Sequence, residues 1–258
     1  MLPPATGGTV RLARHVLTFG PERHELLLHN SRGRLVLEAE RLVPPFRPGR
    51  VDLGRGRFYD LTVPAPRLTA RARFTPPGEA EIDLGEGAGL CVRAYSNTPD
   101  HDATAWFRLH TFDRELQLSL LEMTGSREQG YAHAGVLWVT RGRELLVRTS
   151  DPLRHFQDLQ ADAIGPFYPV PRSLRLSSAA AGLSGEAALR LVRRDDLLDW
   201  VDNALVRLLL GRAAHPVQYV FDTDYVFDIT HGGRRERQAG TGVALFTLPG
   251  APPKAEPW

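Results

Sequence analysis

The sequence predicts a mainly β protein, an antiparallel β-barrel with one long amphipathic helix near the C-terminal end. Three observations predict this fold. Apolar and polar side chains alternate with a period of two along residues 104–112 and again along 114–123. Clusters of Gly, Pro or Asn separate the strand-like runs at hairpin spacing, without a βαβ rhythm. Residues 195–212 instead repeat leucine and valine at helical spacing.

The predicted strands follow one another as an antiparallel meander. Residues 112–113 and 140–143 read as tight turns, and in the second Gly142 supplies the positive φ. Closely connected hairpins favour a closed barrel, which has no exposed edge strands. The predicted strands are 9–18, 24–29, 33–43, 57–63, 67–74, 79–85, 88–95, 104–112, 114–123, 131–139, 143–149, 152–158, 172–178, 186–193, 217–229 and 241–248.

The helix is predicted over 195–212, DDLLDWVDNALVRLLLGR. Its apolar stripe is formed by Leu197, Val201, Leu205 and Leu208, which recur at helical spacing. Acidic residues at its start oppose the helix dipole, and a glycine near its end can cap it. Such a stripe packs against a core, or alternatively forms a lid or a membrane-facing surface.

The composition and the absence of certain motifs exclude several classes of function. The 258 residues carry 32 Lys plus Arg against 30 Asp plus Glu, a net charge of +2 that is too small for a nucleic-acid partner. The single cysteine excludes an internal disulfide. No apolar run reaches the length of a membrane span or a signal peptide, so we expect a cytoplasmic protein without an integral membrane segment. Hydrolase, kinase and dehydrogenase motifs are absent.

Ionisable groups stand beside the apolar runs of residues 90–139. His101 and Asp102 lie in a polar loop, where they could act on a ligand or simply form a solvated turn. Glu122 interrupts the run LSLLEMT, so it either faces solvent or is buried with a partner. A buried carboxylate has a raised pKa and would be a candidate acid. Asp222, Asp224 and Asp228 share one strand face that we expect to face solvent, so no metal site is predicted.

Seven stretches follow one another along the chain: LEAERLVPPFRPG (37–49), VPAPRLTARARF (63–74), GLCVRAYSNTPDHDATAWF (89–107), LSLLEMT (118–124), GYAHAGVLWV (130–139), HPVQYVFDTDYVFDI (215–229) and GTGVALF (240–246). Together they resemble a lipocalin-like superfamily that includes fungal survival-factor lipid-binding proteins, carotenoid 1,2-hydratases and decalin-forming Diels–Alderases. Arg93 stands where the survival-factor pattern has a histidine, residues 101–103 stand for its His-His-Ala, and 121–123 for its Met-Glu-Phe strand. The relatives usually have two lipocalin-like halves. The resemblance therefore implies a reduced N-terminal β region over 1–66, a lipocalin-like barrel domain over 67–248 and a flexible tail over 249–258.

The resemblance implies that the protein binds a large hydrophobic molecule, a lipid or an isoprenoid or polyene, in a barrel pocket without a cofactor. An alternative is a hydratase or cyclase acting on a polyene in that pocket, with Glu122, His101 or Asp102 as catalytic acid. A third is a stress-associated scaffold without a small ligand, which predicts a filled interior. The expected pocket residues are Arg93, Tyr95, Trp106, His110, Tyr131, His133, Trp138 and Tyr219. The oligomeric state stays open.

Overall fold

The structure is a computed structural model that describes residues 8–54, 56–97, 103–113, 115–125, 133–150, 152–162, 168–200, 208 and 216–249. Contacts divide the chain into two compact units. Unit 1 holds Met1–Arg47, Thr62–Arg93 and Gly142–Glu144. Unit 2 holds Pro48–Leu61, Ala94–Arg141 and Leu145–Trp258.

A seven-stranded antiparallel sheet contains the first strands of the chain. Its order is β1-β2-β3-β4-β6-β5, and β7 also pairs with β6. Alternation along β4 places Ala39 on an apolar face of unit 1 with Ala65 and Leu68, and puts Glu38 and Glu40 on the other face. The strands are β1 (Gly8–Leu12), β2 (His15–Phe19), β3 (Arg23–Asn30), β4 (Gly33–Arg41), β5 (Phe46–Gly54), β6 (Arg57–Thr75) and β7 (Ile82–Ser96).

A nine-stranded antiparallel sheet of unit 2 carries most of the core. Its order is β11-β10-β9-β8-β18-β17-β16-β15-β12. The short strands β13 (Gln160–Ala161) and β14 (Pro169–Val170) form a separate two-stranded sheet. The nine strands are β8 (Ala103–Thr111), β9 (Leu116–Gly125), β10 (His133–Arg141), β11 (Glu144–Thr149), β12 (Leu153–Gln157), β15 (Ser173–Ser178), β16 (Leu183–Asp196), β17 (Val217–His231) and β18 (Arg234–Leu248).

The nine-stranded sheet curls around its own core. Phe156 of β12, the last strand in the order, packs edge-on against Phe107 of β8 at 5.1 Å and Phe246 of β18 at 5.2 Å between ring centroids. In a flat sheet these strands could not touch, because three or more other strands lie between β12 and each of them in the sheet order. The interior faces of its strands meet in one apolar cluster that includes eight large aromatic rings. The described part of the interior is therefore filled with side chains.

Strands β8 and β9 were expected to be half-buried, and the structure differs at β9. Every residue of β9 is buried, on both faces of the sheet. One face joins the apolar interior through Leu118 and Leu120. The other carries Gln117, Ser119 and Met123, which are also less than 3% exposed. Alternation in a sequence shows that the two faces of a strand differ in polarity, but it does not show whether each face is covered. In β9 both faces are buried.

The prediction of a long C-terminal helix is wrong. Asp195 and Asp196, expected to start it, end β16 and pair with Gln218 and Val217 of β17. Leu197–Trp200 then form a short 3-10 turn. Among the described residues, no α-helix reaches one full turn. Of the predicted helix after Trp200, the described residues include only Leu208. Across the same residues no helix is long and apolar enough to cross a bilayer.

Other strand boundaries also differ from prediction. The predicted first strand is a hairpin, because Ala13 adopts a left-handed φ of 53° between β1 and β2. Residues 57–75 form one long strand in place of two, and β5 was not predicted. The turn between β17 and β18 uses Gly232 and Gly233 at φ values of 58° and 77°, conformations that favour glycine.

Candidate functional site

A row of side chains crosses the interior face of the nine-stranded sheet near one end. Successive register partners on β10, β9, β8, β18, β17 and β16 form it: Gly135, Glu122, Phe107, Phe246, Tyr219 and Arg194. Because directly paired residues in a sheet point to the same face, these side chains share the interior. The row thus has an aromatic centre with an ionisable group on each side.

Glu122 is clamped by an arginine from β12. The Nη2 and Nε of Arg154 donate to Glu122 Oε1 at 2.6 and 3.0 Å, and the two side chains are only 3% and 4% exposed. His133 Nδ1 lies 3.2 Å from the same oxygen, while its ring is half exposed. We call Glu122, Arg154 and His133 the clamp. It ties β9 and β10 to β12, which lies at the other end of the sheet order.

The clamp determines the charge of Glu122. Burial raises the pKa of this carboxyl, but the charge of Arg154 and the hydrogen bonds from His133 and Arg154 lower it more, so the net pKa falls below the ordinary value. Glu122 is therefore an ionised carboxylate at neutral pH. From the sequence, Glu122 was expected either to face solvent or to be buried, with a raised pKa in the buried case. Glu122 is buried, and its partner Arg154, which was not predicted, reverses that pKa shift.

A second buried network lies at the other side of the row. Asp162 accepts hydrogen bonds from Arg194 Nε at 2.8 Å and from the Tyr219 hydroxyl at 2.7 Å. Burial and the bond to Asp162 raise the pKa of Tyr219 far above its ordinary value. Its ring stacks with Phe246 at 6.4 Å between centroids. Tyr219, an expected pocket residue, is thus fixed within the core.

A small crevice lies on the opposite face of β9 and β10. Its volume is about 190 Å³, and Leu121 and Val136 of these two strands line it. Its other walls are formed by residues 48–51, Tyr59, Leu61, Ala134, Gly135 and Ser150. In an apolar cluster at the same place, Met123 and Ala134 pack with Val51, Tyr59 and Trp106. Burial raises the pKa of Tyr59 although Arg108 opposes that shift, so its phenol is neutral.

A larger cavity of unit 1, about 730 Å³, has a charged lining. Glu25, Glu38, Glu40 and Glu86 lie in its walls with Arg23 and Arg71. Arg73 and Arg143 also hold Glu38 and Glu40 at 2.6 and 2.9 Å. An apolar molecule would have to strip water from these groups without replacing their hydrogen bonds, which is unfavourable.

The structure brings together only some of the predicted site residues. Glu122 and His133 touch, and Tyr219 shares their face of the sheet. The other face of the sheet carries Trp106, His110 and Trp138. His110 and Trp138 are buried, and Trp106 packs against the Met123 and Ala134 cluster at the crevice. Arg93 and Tyr95 are exposed, Tyr95 by 64%. His101, Asp102 and Tyr131 lie outside the described residues.

His110 was expected either to line the pocket or to face water. The structure buries its ring, which is 9% exposed. Burial, aided by the charge of Arg108, lowers the pKa of His110 to about 4, so the ring is neutral at pH 7.

Arg154 and Tyr59 were missed at the sequence level. A signal existed for Arg154, which shares a strand face with Phe156 and so places a cation on an apolar face. Alternation alone does not reveal which distant strand supplies the partner.

Comparisons with known proteins show the fold. No family model matches the sequence, and neither does any curated protein. The crystal structure of a candidate AttH protein from Nitrosomonas europaea aligns with a TM-score of 0.55 at 15% identity, over 93% of this chain and 69% of that one. CghA crystallised with Sch210972 aligns with a TM-score of 0.60 at 11% identity, over 95% and 70%. At such low identity these matches show the fold alone.

Proposed function

We propose that this protein binds a large apolar molecule, a lipid or an isoprenoid or polyene, and holds part of it in the crevice of unit 2. The observation that carries the proposal is the mainly apolar lining of the crevice, which includes Val51, Leu61, Leu121 and Val136. Its polar groups are Arg50, Ser150 and the neutral phenol of Tyr59. Ligand sites combine such walls with a few polar groups that fix orientation. We place the ligand there because apolar side chains pack the described interior face of the nine-stranded sheet.

The size of the crevice sets what it can hold. At about 190 Å³ it is smaller than the ~300–1,000 Å³ of a site for a whole drug-sized ligand. Burial of roughly 150 Å² of ligand surface there would contribute about 4 kcal/mol. Alone, that energy corresponds to a Kd of about 1 mM. A tight ligand would therefore use the crevice for one segment and make further contacts outside it.

The proposal is tested by filling the crevice. Val136→Phe places a ring in the space, and Val192→Phe makes the same change at a residue of β16 that is 58% exposed. Titration with Nile red, a neutral apolar fluorophore, should give a Kd at least tenfold weaker for Val136→Phe than for the wild type and Val192→Phe. Circular dichroism checks that each variant folds. If Val136→Phe does not fold, Ala134→Val fills the same crevice more gently.

Two results would reject the proposal. One is equal Nile red affinity in Val136→Phe and Val192→Phe, which would place the probe elsewhere. The other is an absence of binding by the wild type. The scaffold alternative, which expects a filled interior, would then take its place.

A second candidate is a hydratase or cyclase acting on a polyene. The contact of half-exposed His133 with the buried carboxylate of Glu122 favours it, since a carboxylate can orient a histidine for proton transfer. Because Glu122 is ionised, His133 would donate the proton to an alkene carbon, and water would add to the cation and return its proton to His133. Mass spectrometry would detect the addition of one water to a polyene, and Glu122→Gln should abolish that product. Product formation that Glu122→Gln leaves unchanged would exclude this role.

A further inference from the structure

A row of side chains on the crevice side of the nine-stranded sheet contains a single charged group. Its members are successive register partners on β10, β9, β8, β18 and β17: Val136, Leu121, Arg108, Leu245 and Val220. Because directly paired residues in a sheet point to the same face, these side chains form one strip. Arg108 therefore stands among aliphatic side chains, two of which, Leu121 and Val136, line the crevice.

The guanidinium of Arg108 is accessible to a ligand. Arg108 is exposed, whereas Leu121 and Val136 beside it are buried. Within the part of the chain that the structure describes, its side chain forms no hydrogen bond and no ion pair. Neighbouring strands lie about 4.8 Å apart, so Arg108 is about one strand spacing from a residue that lines the crevice.

Tyr59 brings a second hydrogen-bond donor to the same region. Its ring packs edge-on against Trp106 of β8 at 5.7 Å between centroids. Trp106 and Arg108 are two residues apart on this strand and so share a face. The charge of Arg108 acts on the Tyr59 hydroxyl, because it lowers the pKa of that group against the larger effect of burial. Among the described residues, no hydrogen-bond partner occupies this hydroxyl.

The charge around the crevice is positive. Of the residues that line it, only Arg50 is charged. Arg108 adds a second cation, and burial keeps the nearby ring of His110 neutral at pH 7. A cationic head group would be repelled here, whereas an anionic one would gain a charge-assisted hydrogen bond.

We propose that the ligand of the crevice is an amphipathic carboxylate. Its head group pairs with the Arg108 guanidinium and accepts a hydrogen bond from the Tyr59 hydroxyl, while its hydrocarbon chain lies in the crevice. This inference rests on the proposed function and adds the ligand class. A guanidinium matches the two oxygens of a carboxylate, and hydrogen bonds to an ionised acceptor are stronger than those between neutral groups.

The test compares two ligands that have the same chain length and different head groups. Octanoate and 1-octanol are titrated into the wild type, Arg108→Gln and Arg234→Gln, and binding is followed by NMR. Arg234 is exposed at the start of β18, so its replacement removes the same charge from a different place. We expect octanoate to bind about fivefold more tightly than octanol to the wild type and to Arg234→Gln. For Arg108→Gln we expect less than about a twofold preference.

Three results would overturn the inference. They are equal affinity of the wild type for the two ligands, an unchanged preference in Arg108→Gln, and an equal loss of preference in Arg234→Gln, which would reflect overall charge. If Arg108→Gln does not fold, Tyr59→Phe decides the question, since it removes only the hydroxyl. Its affinity for octanoate should fall about threefold, and an unchanged affinity would overturn the inference.

The same titrations separate this inference from the proposed function. Octanol binding that Val136→Phe weakens, without a head-group preference in the wild type, rejects the carboxylate ligand and leaves the proposed function intact. Absence of octanol, octanoate and Nile red binding by the wild type rejects the proposed function itself.

Discussion

Replacing Arg154 by methionine should strongly destabilise unit 2. The change leaves the Glu122 carboxylate, 4% exposed, with only half-exposed His133 as a partner. Breaking a buried ion pair from one side costs about 3–5 kcal/mol. For a chain of this size each 1 kcal/mol lowers Tm by roughly 2–4 °C, so we expect a fall of about 6–20 °C.

The assay is thermal and urea unfolding followed by circular dichroism. Arg190→Met is the matched control, because Arg190 and Asp222 form an ion pair at 2.9 Å with side chains 73% and 54% exposed. Losing an exposed pair costs about 0–1 kcal/mol. The double variant Glu122→Leu/Arg154→Met removes both charges and should recover most of the stability, since apolar replacement of a buried pair is often neutral.

The pH dependence gives a second signature of the same pair. The pKa of Glu122 is lowered in the folded protein, so its ionisation stabilises the fold above the unfolded pKa of about 4.5 and that contribution is lost as the pH falls through the folded pKa. Glu122→Gln should lack this component. A stabilising buried pair is excluded if Arg154→Met lowers the free energy of unfolding no more than Arg190→Met does, or if the double variant is no more stable than Arg154→Met.

Two further substitutions test other parts of unit 2. His110 has a folded pKa of about 4 against 6.5 unfolded, so wild-type stability should fall by up to about 3 kcal/mol from pH 6.5 to 4. Urea midpoints of His110→Gln should lack that fall, and an equal fall in both proteins would show that the ring is not buried as a neutral group. Gly185→Ala should cost about 2 kcal/mol or more, because a Cβ there would meet the Val226 carbonyl oxygen at 2.3 Å. Gly87→Ala, with open space at its Cβ, should cost much less in the same urea titration, and equal costs would contradict the packing at Gly185.

Strand periodicity was the most reliable signal in the sequence. It anticipated the alternation of β17, where Tyr219, Phe221 and Tyr225 are buried and Asp222 and Asp224 are exposed. It failed at Asp195 and Asp196, where the leucines that follow favoured a helix. Pairing with β17 holds these two residues in a strand, because tertiary contacts override local preference. The domain boundaries at residues 67 and 249 stay predictions.

The candidate site was predicted only in part. Glu122 was singled out because it interrupts an apolar run, and it does lie in the core. Its partner comes from a strand 32 residues along the chain, and the sequence carries no information about which strands meet when a sheet curls. The sign of the Glu122 pKa shift therefore could not be predicted. The crevice depends on the packing of residues 48–61 over β9 and β10, which is also a tertiary property.

Binding in the crevice is tested by native mass spectrometry of the protein purified from the organism that makes it. We expect one apolar molecule bound per wild-type chain, retained by Val192→Phe and lost from Val136→Phe. Recovery of all three proteins without any apolar molecule, or equal retention in Val136→Phe, would contradict binding in the crevice.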